Sequence, residues 1–120
     1  MKKRIKKLYL QEKKRYLKKI IGTFEKPRLA VFRSHKHIYA QLIDDTNAKT
    51  LVFSSTLDKT IAGLVSSTAT KEASNIVGEN LAKKAIEKNL RFVVFDRGNR
   101  PYHGRIQSVA EGARKEGLQF

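Results

Sequence analysis

The order of secondary-structure elements predicts a small α/β sandwich, with two helices packed on one face of a sheet whose other face stays partly open. Three observations support this class: three β-branched and aromatic segments within 28–56, an apolar run at 91–96, and helical periodicity in two later segments. The resulting β-β-β-α-β-α order is typical of a two-layer domain. At 120 residues, we expect one α/β domain over 28–120, preceded by a basic arm over 1–27.

The first two strands are expected over 28–34 (RLAVFRS) and 37–44 (HIYAQLID), joined by a two-residue hairpin loop, His35-Lys36. A loop of that length decides which residues share a face, because side chains alternate along a strand. The open-face set is Arg28, Ala30, Phe32, Ser34, His37, Tyr39 and Gln41. The core set is Leu29, Val31, Ile38, Ala40 and Leu42.

A third strand is expected over 49–56 (KTLVFSST), after a turn at 44–48 (DDTNA), and completes an antiparallel meander. Simple alternation assigns Leu51 and Phe53 to the core. It assigns Thr50, Ser54 and Thr56 to the open face.

Residues 63–70 read as a Ser/Thr-rich loop, and a helix is expected to begin near Thr70, whose hydroxyl can accept from free backbone amides. Its apolar stripe is Ala73, Val77, Leu81 and Ala85, with Ile76 and Ile86. The run at 91–96 (RFVVFD) predicts a strand buried on both faces. A last helix is expected over about 103–115, with an apolar stripe formed by Ile106, Val109, Ala110 and Ala113.

Charge is concentrated at the front of the chain. Residues 1–28 contain twelve Lys and Arg against two acidic residues, which gives +10 of the total +15. Such a block becomes favourable beside a polyanion, whose counterions it displaces. The arm is expected to be helical or disordered before binding, and an anionic membrane surface is an alternative partner. Its candidate phosphate-binding residues are Lys2, Lys3, Arg4, Lys6, Lys7, Lys13, Lys14, Arg15, Lys18 and Lys19.

Composition excludes several classes of function. The chain has no cysteine, which excludes disulfides, thiolate zinc sites and cysteine nucleophiles. No apolar run reaches the ~18 residues of a membrane span. The basic start is not followed by the apolar segment of a secretory signal.

Two further features suit RNA. The open face would combine aromatic Phe32 and Tyr39 with polar side chains, and such a surface can meet bases, sugars and phosphates. The polar candidates on this face are Ser34, His37, Gln41, Ser54 and Thr56. The alternative is an ordinary solvated face, with Phe32 covered by the arm.

The second feature is the loop at 96–105 (DRGNRPYHGR), which places arginines and glycines between a strand and a helix start, where free amides favour anions. Its candidates are Arg97, Arg100, Tyr102, His103 and Arg105. The alternative is a surface loop with incidental arginines.

Catalysis is not expected. Asp44, Asp45 and Asp96 could in principle hold Mg²⁺ in a metal-dependent nuclease. However, aspartates are common in hairpin turns for their own hydrogen bonds, and Asp96 precedes an arginine. The three histidines do not show metal-ligand spacing.

Residues 28–45, the helix KEASNIVGENLAKKA at 71–85 and the segment 93–120 (VVFDRGNRPYHGRIQSVAEGARKEGLQF) closely resemble bacterial-type large-subunit ribosomal protein eighteen. The resemblance implies a structural protein that binds 5S rRNA and helps attach it to 23S rRNA in the central protuberance. The implied partners also include neighbouring large-subunit proteins, and no cofactor, small-molecule substrate or membrane is implied. The implied location is the ribosome of a bacterial cytoplasm or a plastid.

The resemblance also implies RNA contacts by the arm and by specific residues of the domain. These are Arg28, Arg33, Ser34, His37, Tyr39, Gln41, Arg97, Tyr102, His103 and Arg105. One departure from the family pattern is Asn99-Arg100-Pro101, which replaces the glycine and the apolar or aromatic residues usual in that loop. It leaves a contact by Arg100 open.

Overall fold

A computed structural model describes residues 20–96, 98 and 101–120. Within them, four strands form one sheet: β1 (Arg28–Arg33), β2 (Ile38–Asp44), β3 (Lys49–Ser55) and β4 (Val94–Asp96). The helices are α1 (Lys59–Ala62), α2 (Lys71–Glu87) and α3 (Gly104–Lys115). The sheet order is β3-β2-β1-β4, antiparallel except for the parallel pair of β1 and β4. The predicted α/β sandwich is confirmed.

The hairpin between β1 and β2 has the predicted two-residue loop. Arg33 pairs with Ile38, and the Ser34 amide donates to the His37 carbonyl at 2.9 Å, which leaves His35 and Lys36 as the loop. The predicted facing is therefore confirmed for both strands, because the five predicted core residues are buried while Phe32 is 51% exposed. Ala30 is also buried, at the centre of the sheet between Gln41 and Asp96.

The predicted facing of β3 is confirmed for Thr50, which is exposed, and for Leu51, which packs against the core, but it is wrong for the residues that follow. A bulge between Leu42 and Ile43 of β2 shifts the register, so Ile43 pairs with Thr50 while Leu42 pairs with Val52. Leu51 is the extra residue, and beyond it every β3 side chain takes the face opposite to the one that simple alternation gives. Val52 and Ser54 are buried, whereas Phe53 is 47% exposed on the open face beside Gln41.

The prediction that β4 is buried on both faces is also wrong. The strand is shorter than the apolar run, it lies at a sheet edge, and its three residues are only half-buried. The preceding Phe92 is 53% exposed and pairs with Gln119 near the chain's end. A continuous apolar run can therefore form a half-buried edge strand and does not show that the strand is buried on both faces.

The core lies between the sheet and the helices α2 and α3. It joins Leu29, Ile38 and Leu42 of the sheet to the predicted helical stripes, and Ile76 and Ile86 are partly buried at its margin. The Thr70 hydroxyl accepts from the Ala73 amide at 3.1 Å, as predicted for the α2 cap. The short helix α1 was not anticipated; Asp58 caps it by accepting from the Thr60 amide.

Candidate RNA-binding surface

The open face of the sheet carries three aromatic side chains on adjacent strands. Phe32 of β1 lies directly opposite Tyr39 of β2, and Phe53 of β3 lies opposite Gln41, diagonal to Tyr39. Side chains that are opposite or diagonal across a sheet are within reach of the same ligand. We call Phe32, Tyr39, Gln41 and Phe53 the aromatic face.

Within the described part of the chain, the aromatic face is open to a ligand. The helices pack against the other side of the sheet, where the core lies. Phe32 and Phe53 are each about half exposed, although aromatic side chains of this size usually bury most of their surface. Residues 20–27 do not cover Phe32, and the rest of the arm, which the alternative places over Phe32, lies outside the described residues.

The hairpin end of the sheet is held by Thr56. The Thr56 hydroxyl accepts from the Ile38 amide and lies 3.0 Å from Nδ1 of His37. This contact fixes the His37 ring beside the buried Thr56. Ser34 lies beside His37, exposed, and its hydroxyl accepts from the His37 amide.

The prediction that Ser54 and Thr56 lie on the open face is wrong. Both are buried at 1% exposure or less. Ser54 accepts from Asn80 of α2 at 2.9 Å, and the Thr56 hydroxyl is engaged with Ile38 and His37. These hydroxyls hold the fold together, and the bulge in the β2–β3 register is the reason that they face inward.

Arg105 connects the 96–105 loop to the hairpin. Its Nη2 donates to the Ser34 carbonyl at 3.0 Å, and its Nη1 lies 3.5 Å from the His37 carbonyl. The structure therefore brings Ser34, His37 and Arg105 together at one end of the sheet, although Arg105 is some seventy positions away along the chain.

The loop itself begins on the sheet. Because β4 runs parallel to β1, Asp96 lies beside Ala30, and β4 points toward the hairpin. The Asp96 carboxylate accepts from the Gly98 amide, and Gly98 and Gly104 both have φ near +60°, a region that favours glycine. His103 is exposed and precedes α3 without a side-chain cap.

Tyr102 lies on the other side of the sheet from the aromatic face. Its ring packs edge-on against Phe95, and its hydroxyl accepts from Arg114 of α3 at 3.0 Å. Arg114 also covers the ring of Phe120, 4.3 Å from the centroid. Arg33 likewise points away from the aromatic face, since it pairs with the core residue Ile38, and it is exposed.

Arg28 is held by two carboxylates. Its Nε and Nη2 donate to Asp45 at 2.9 and 3.0 Å, and its Nη1 donates to Asp96 at 3.0 Å. The Arg28 hydrogen bonds lower the pKa of the Asp45 carboxyl, helped by a further bond from the Gly22 amide, while burial opposes the shift. The same bond to Asp45 raises the pKa of Arg28.

Asp44 has partners of its own. It accepts from the Thr46 amide and hydroxyl and from the Asn47 side chain, and these bonds, Thr46 foremost, lower its pKa. In the described part of the chain, no group of three His, Cys, Asp or Glu side chains is arranged to hold a metal ion. The described helices include none long and apolar enough to cross a membrane.

Several predicted candidates lie outside the described residues: the ten arm residues from Lys2 to Lys19, together with Arg97 and Arg100. Phe53 is the member of the aromatic face that sequence reasoning missed, because the alternation of KTLVFSST contains no sign of the bulge.

Comparison with known proteins agrees with the resemblance in sequence. Residues 2–120 match the family described as ribosomal L18 of archaea, bacteria, mitochondria and chloroplasts. The chain is 57% identical over 102 residues to the large ribosomal subunit protein uL18c of Guillardia theta, covering 85% of this chain and 95% of that one. It is 56% identical over 111 residues to uL18 of Clostridioides difficile (strain 630), covering 92% and 91%.

Proposed function

Because the chain belongs to the ribosomal L18 family, we propose that it binds 5S rRNA and helps attach it to 23S rRNA in the central protuberance. Membership makes the protein a structural constituent of the large ribosomal subunit, in a bacterial cytoplasm or a plastid, and not an enzyme. The observation that supports the finer proposal is the aromatic face, whose phenylalanines are about half exposed among the described residues, with Ser34, His37 and Arg105 gathered at the hairpin end.

The aromatic face supplies contacts that depend on the shape of the RNA. Phe32, Tyr39 and Phe53 offer ring surfaces on three adjacent strands, and Gln41 between them can donate and accept hydrogen bonds. Unpaired bases and sugars in the loops and bulges of a folded RNA fit such a surface, whereas a regular A-form helix presents mainly phosphates and its shallow groove. Stacking on each base contributes about 1–3 kcal/mol.

The hairpin end and the arm supply charge and polar contacts. Ser34, His37 and Arg105 meet at the hairpin end, and the sequence between β4 and α3 adds Arg97, Arg100 and His103 as candidate contacts. The arm adds ten Lys and Arg within residues 1–19, and each phosphate that it neutralises releases counterions. In this account the arm provides most of the salt-dependent affinity, and the aromatic face discriminates among RNAs.

The test compares the 5S rRNA affinity of the full-length Phe32→Ala variant with that of the unmodified protein. Phe92→Ala is the matched control. The two phenylalanines are almost equally exposed, at 51% and 53%, but Phe92 precedes β4 and lies outside the aromatic face. Neither substitution changes the charge.

Phe32→Ala should weaken binding by about 1–3 kcal/mol at constant salt, and Phe92→Ala should bind like the unmodified protein. Equal affinities for both variants and the unmodified protein would show that the aromatic face does not meet the RNA.

A further inference from the structure

The charge of Arg28 is already matched by carboxylates within the described part of the chain. Its guanidinium makes three hydrogen bonds of 2.9–3.0 Å to two carboxylates, and its side chain is 22% exposed. A phosphate could reach the Arg28 donors only if these ion pairs broke. An Arg that contacts RNA would instead direct its planar set of donors at the phosphate.

The carboxylates that bind Arg28 hold two separate segments. Asp45 accepts from the Gly22 amide at 2.7 Å, and its own amide donates to the Gly22 carbonyl at 2.9 Å. Asp96 ends β4 and accepts from the Gly98 amide, at the start of the candidate loop. Arg28 therefore links the last residues of the arm to the strand that precedes the loop.

Gly22 is in close contact at this junction. A Cβ atom at this position would lie 2.3 Å from the Ile43 carbonyl oxygen and 2.4 Å from the Arg28 nitrogen, both of them backbone atoms. Pro27 is fully buried, and its carbonyl accepts from the Val94 amide of β4. The chain before β1 is thus fixed against the sheet from Gly22 onward, and Asp45 is the side chain that holds it there.

We propose that Arg28 is a positioning residue for RNA binding: through Asp45 and Asp96 it fixes where the N-terminal segment joins the sheet relative to β4, and it does not itself contact a phosphate. The inference rests on the proposed function, because the consequence of this positioning is measured on 5S rRNA. It assigns to Asp45, an acidic residue, a favourable effect on the binding of a polyanion.

The two roles of Arg28 predict opposite changes in RNA affinity when Asp45 is neutralised. If Arg28 contacts phosphate, Asp45→Asn removes a repulsive charge, releases the guanidinium and tightens binding. If Arg28 and Asp45 position the N-terminal segment, Asp45→Asn weakens binding, by roughly three- to tenfold, since a charged hydrogen-bond pair is lost at the junction. The matched control is Glu25→Gln, which makes the same change in charge at an exposed residue three positions after Gly22. This control should bind as well as the unmodified protein or slightly better.

The experiment measures 5S rRNA affinity of the full-length variants at one salt concentration, well below their melting temperatures. Asp45→Asn is then repeated in a full-length chain in which Lys13, Lys14, Arg15, Lys18 and Lys19 are changed to Gln. The weakening should shrink in that background, because less charge remains to be positioned. A weakening that stays undiminished would overturn the link to the arm.

Should Asp45→Asn fail to fold, Asp96→Asn carries the test, because it also removes one acidic partner of Arg28 at 3.0 Å. If Arg28 contacts phosphate, losing this negative charge tightens binding. Weaker binding by Asp96→Asn supports positioning, and equal or tighter binding overturns it. If the unmodified protein shows no preference for 5S rRNA, the proposed function fails. If it shows the preference but Asp45→Asn binds equally or more tightly, only the positioning inference fails.

Discussion

Gly78→Ala should destabilise the protein, although helix propensity alone predicts the opposite. Gly78 lies within α2, and replacing an interior helical glycine by alanine ordinarily stabilises a helix by about 1 kcal/mol. The structure reverses the expected sign because α2 and α3 touch through their backbones at this point.

The geometry sets the size of the effect. A Cβ on Gly78 would lie 2.1 Å from the Val109 carbonyl oxygen and 3.0 Å from the Ala113 nitrogen, both in the backbone of α3. Gly112 of α3 is in a reciprocal position, since its Cβ would lie 2.2 Å from the Asn75 carbonyl oxygen of α2. No side chain can rotate to relieve these overlaps, so the helices must separate by about an ångström, and packing around them is lost.

Overpacking of a core costs typically about 1–3 kcal/mol, and a collision with backbone belongs at the upper end of that range. After subtraction of the gain in helix propensity, we expect Gly78→Ala to lower the free energy of unfolding by about 2 kcal/mol.

The assay is urea denaturation followed by circular dichroism, with Gly63→Ala as the control. Gly63 ends α1 with φ of −71°, is exposed, and its Cβ would meet nothing closer than 3.3 Å. The control should change the free energy of unfolding by no more than about 0.5 kcal/mol. If Gly78→Ala proved as stable as the unmodified protein, the close approach of α2 and α3 would be refuted.

Three other predictions concern stability and binding. Because the folded-state pKa of Asp45 is lowered, its contribution is present above pH ~4 and lost as the pH falls through the folded-state value. The stability gap between the unmodified protein and Asp45→Asn should therefore narrow between pH 6 and pH 3, and a constant gap would contradict the ion pair. In the same denaturation assay, Val52→Ala should lower the free energy of unfolding more than Phe53→Ser does, since Val52 is 5% and Phe53 47% exposed. The reverse order would indicate that Phe53, and not Val52, faces the core. Arg105→Ala should weaken 5S rRNA binding by about 1–3 kcal/mol because it holds the loop against the hairpin, and unchanged affinity would remove that role.

Much of the fold follows from local chemistry that is visible in the sequence. The two-residue loop at His35-Lys36 determines the facing of β1 and β2, so Phe32 and Tyr39 could be placed on the open face without a structure. Thr70 marks the start of α2 through its hydroxyl. The apolar stripes of α2 and α3 could be predicted as the helical part of the core, because the 3.6-residue periodicity can be read directly from the sequence.

The remaining features depend on contacts between distant segments. One extra residue at Leu51 reverses the facing of β3 from Val52 onward, so that Phe53 lies on the open face and Ser54 faces the core. The composition of the strand does not indicate this bulge. The position of β4 at the sheet edge depends on its pairing with β1, which an apolar run does not specify. The sequence places Arg28 on the open face of the first strand as a candidate RNA contact, and only the fold brings it against Asp45 and Asp96.

The most direct test of the account is a competition between 5S rRNA and a folded RNA of similar length and charge for the full chain. Near physiological salt, where non-specific phosphate binding is weakened, the unmodified protein should prefer 5S rRNA. The double variant Phe32→Ala/Phe53→Ala should lose most of that preference while keeping the same salt dependence. A protein that binds both RNAs equally, or a double variant that keeps the full preference, would contradict the claim that the aromatic face selects the RNA.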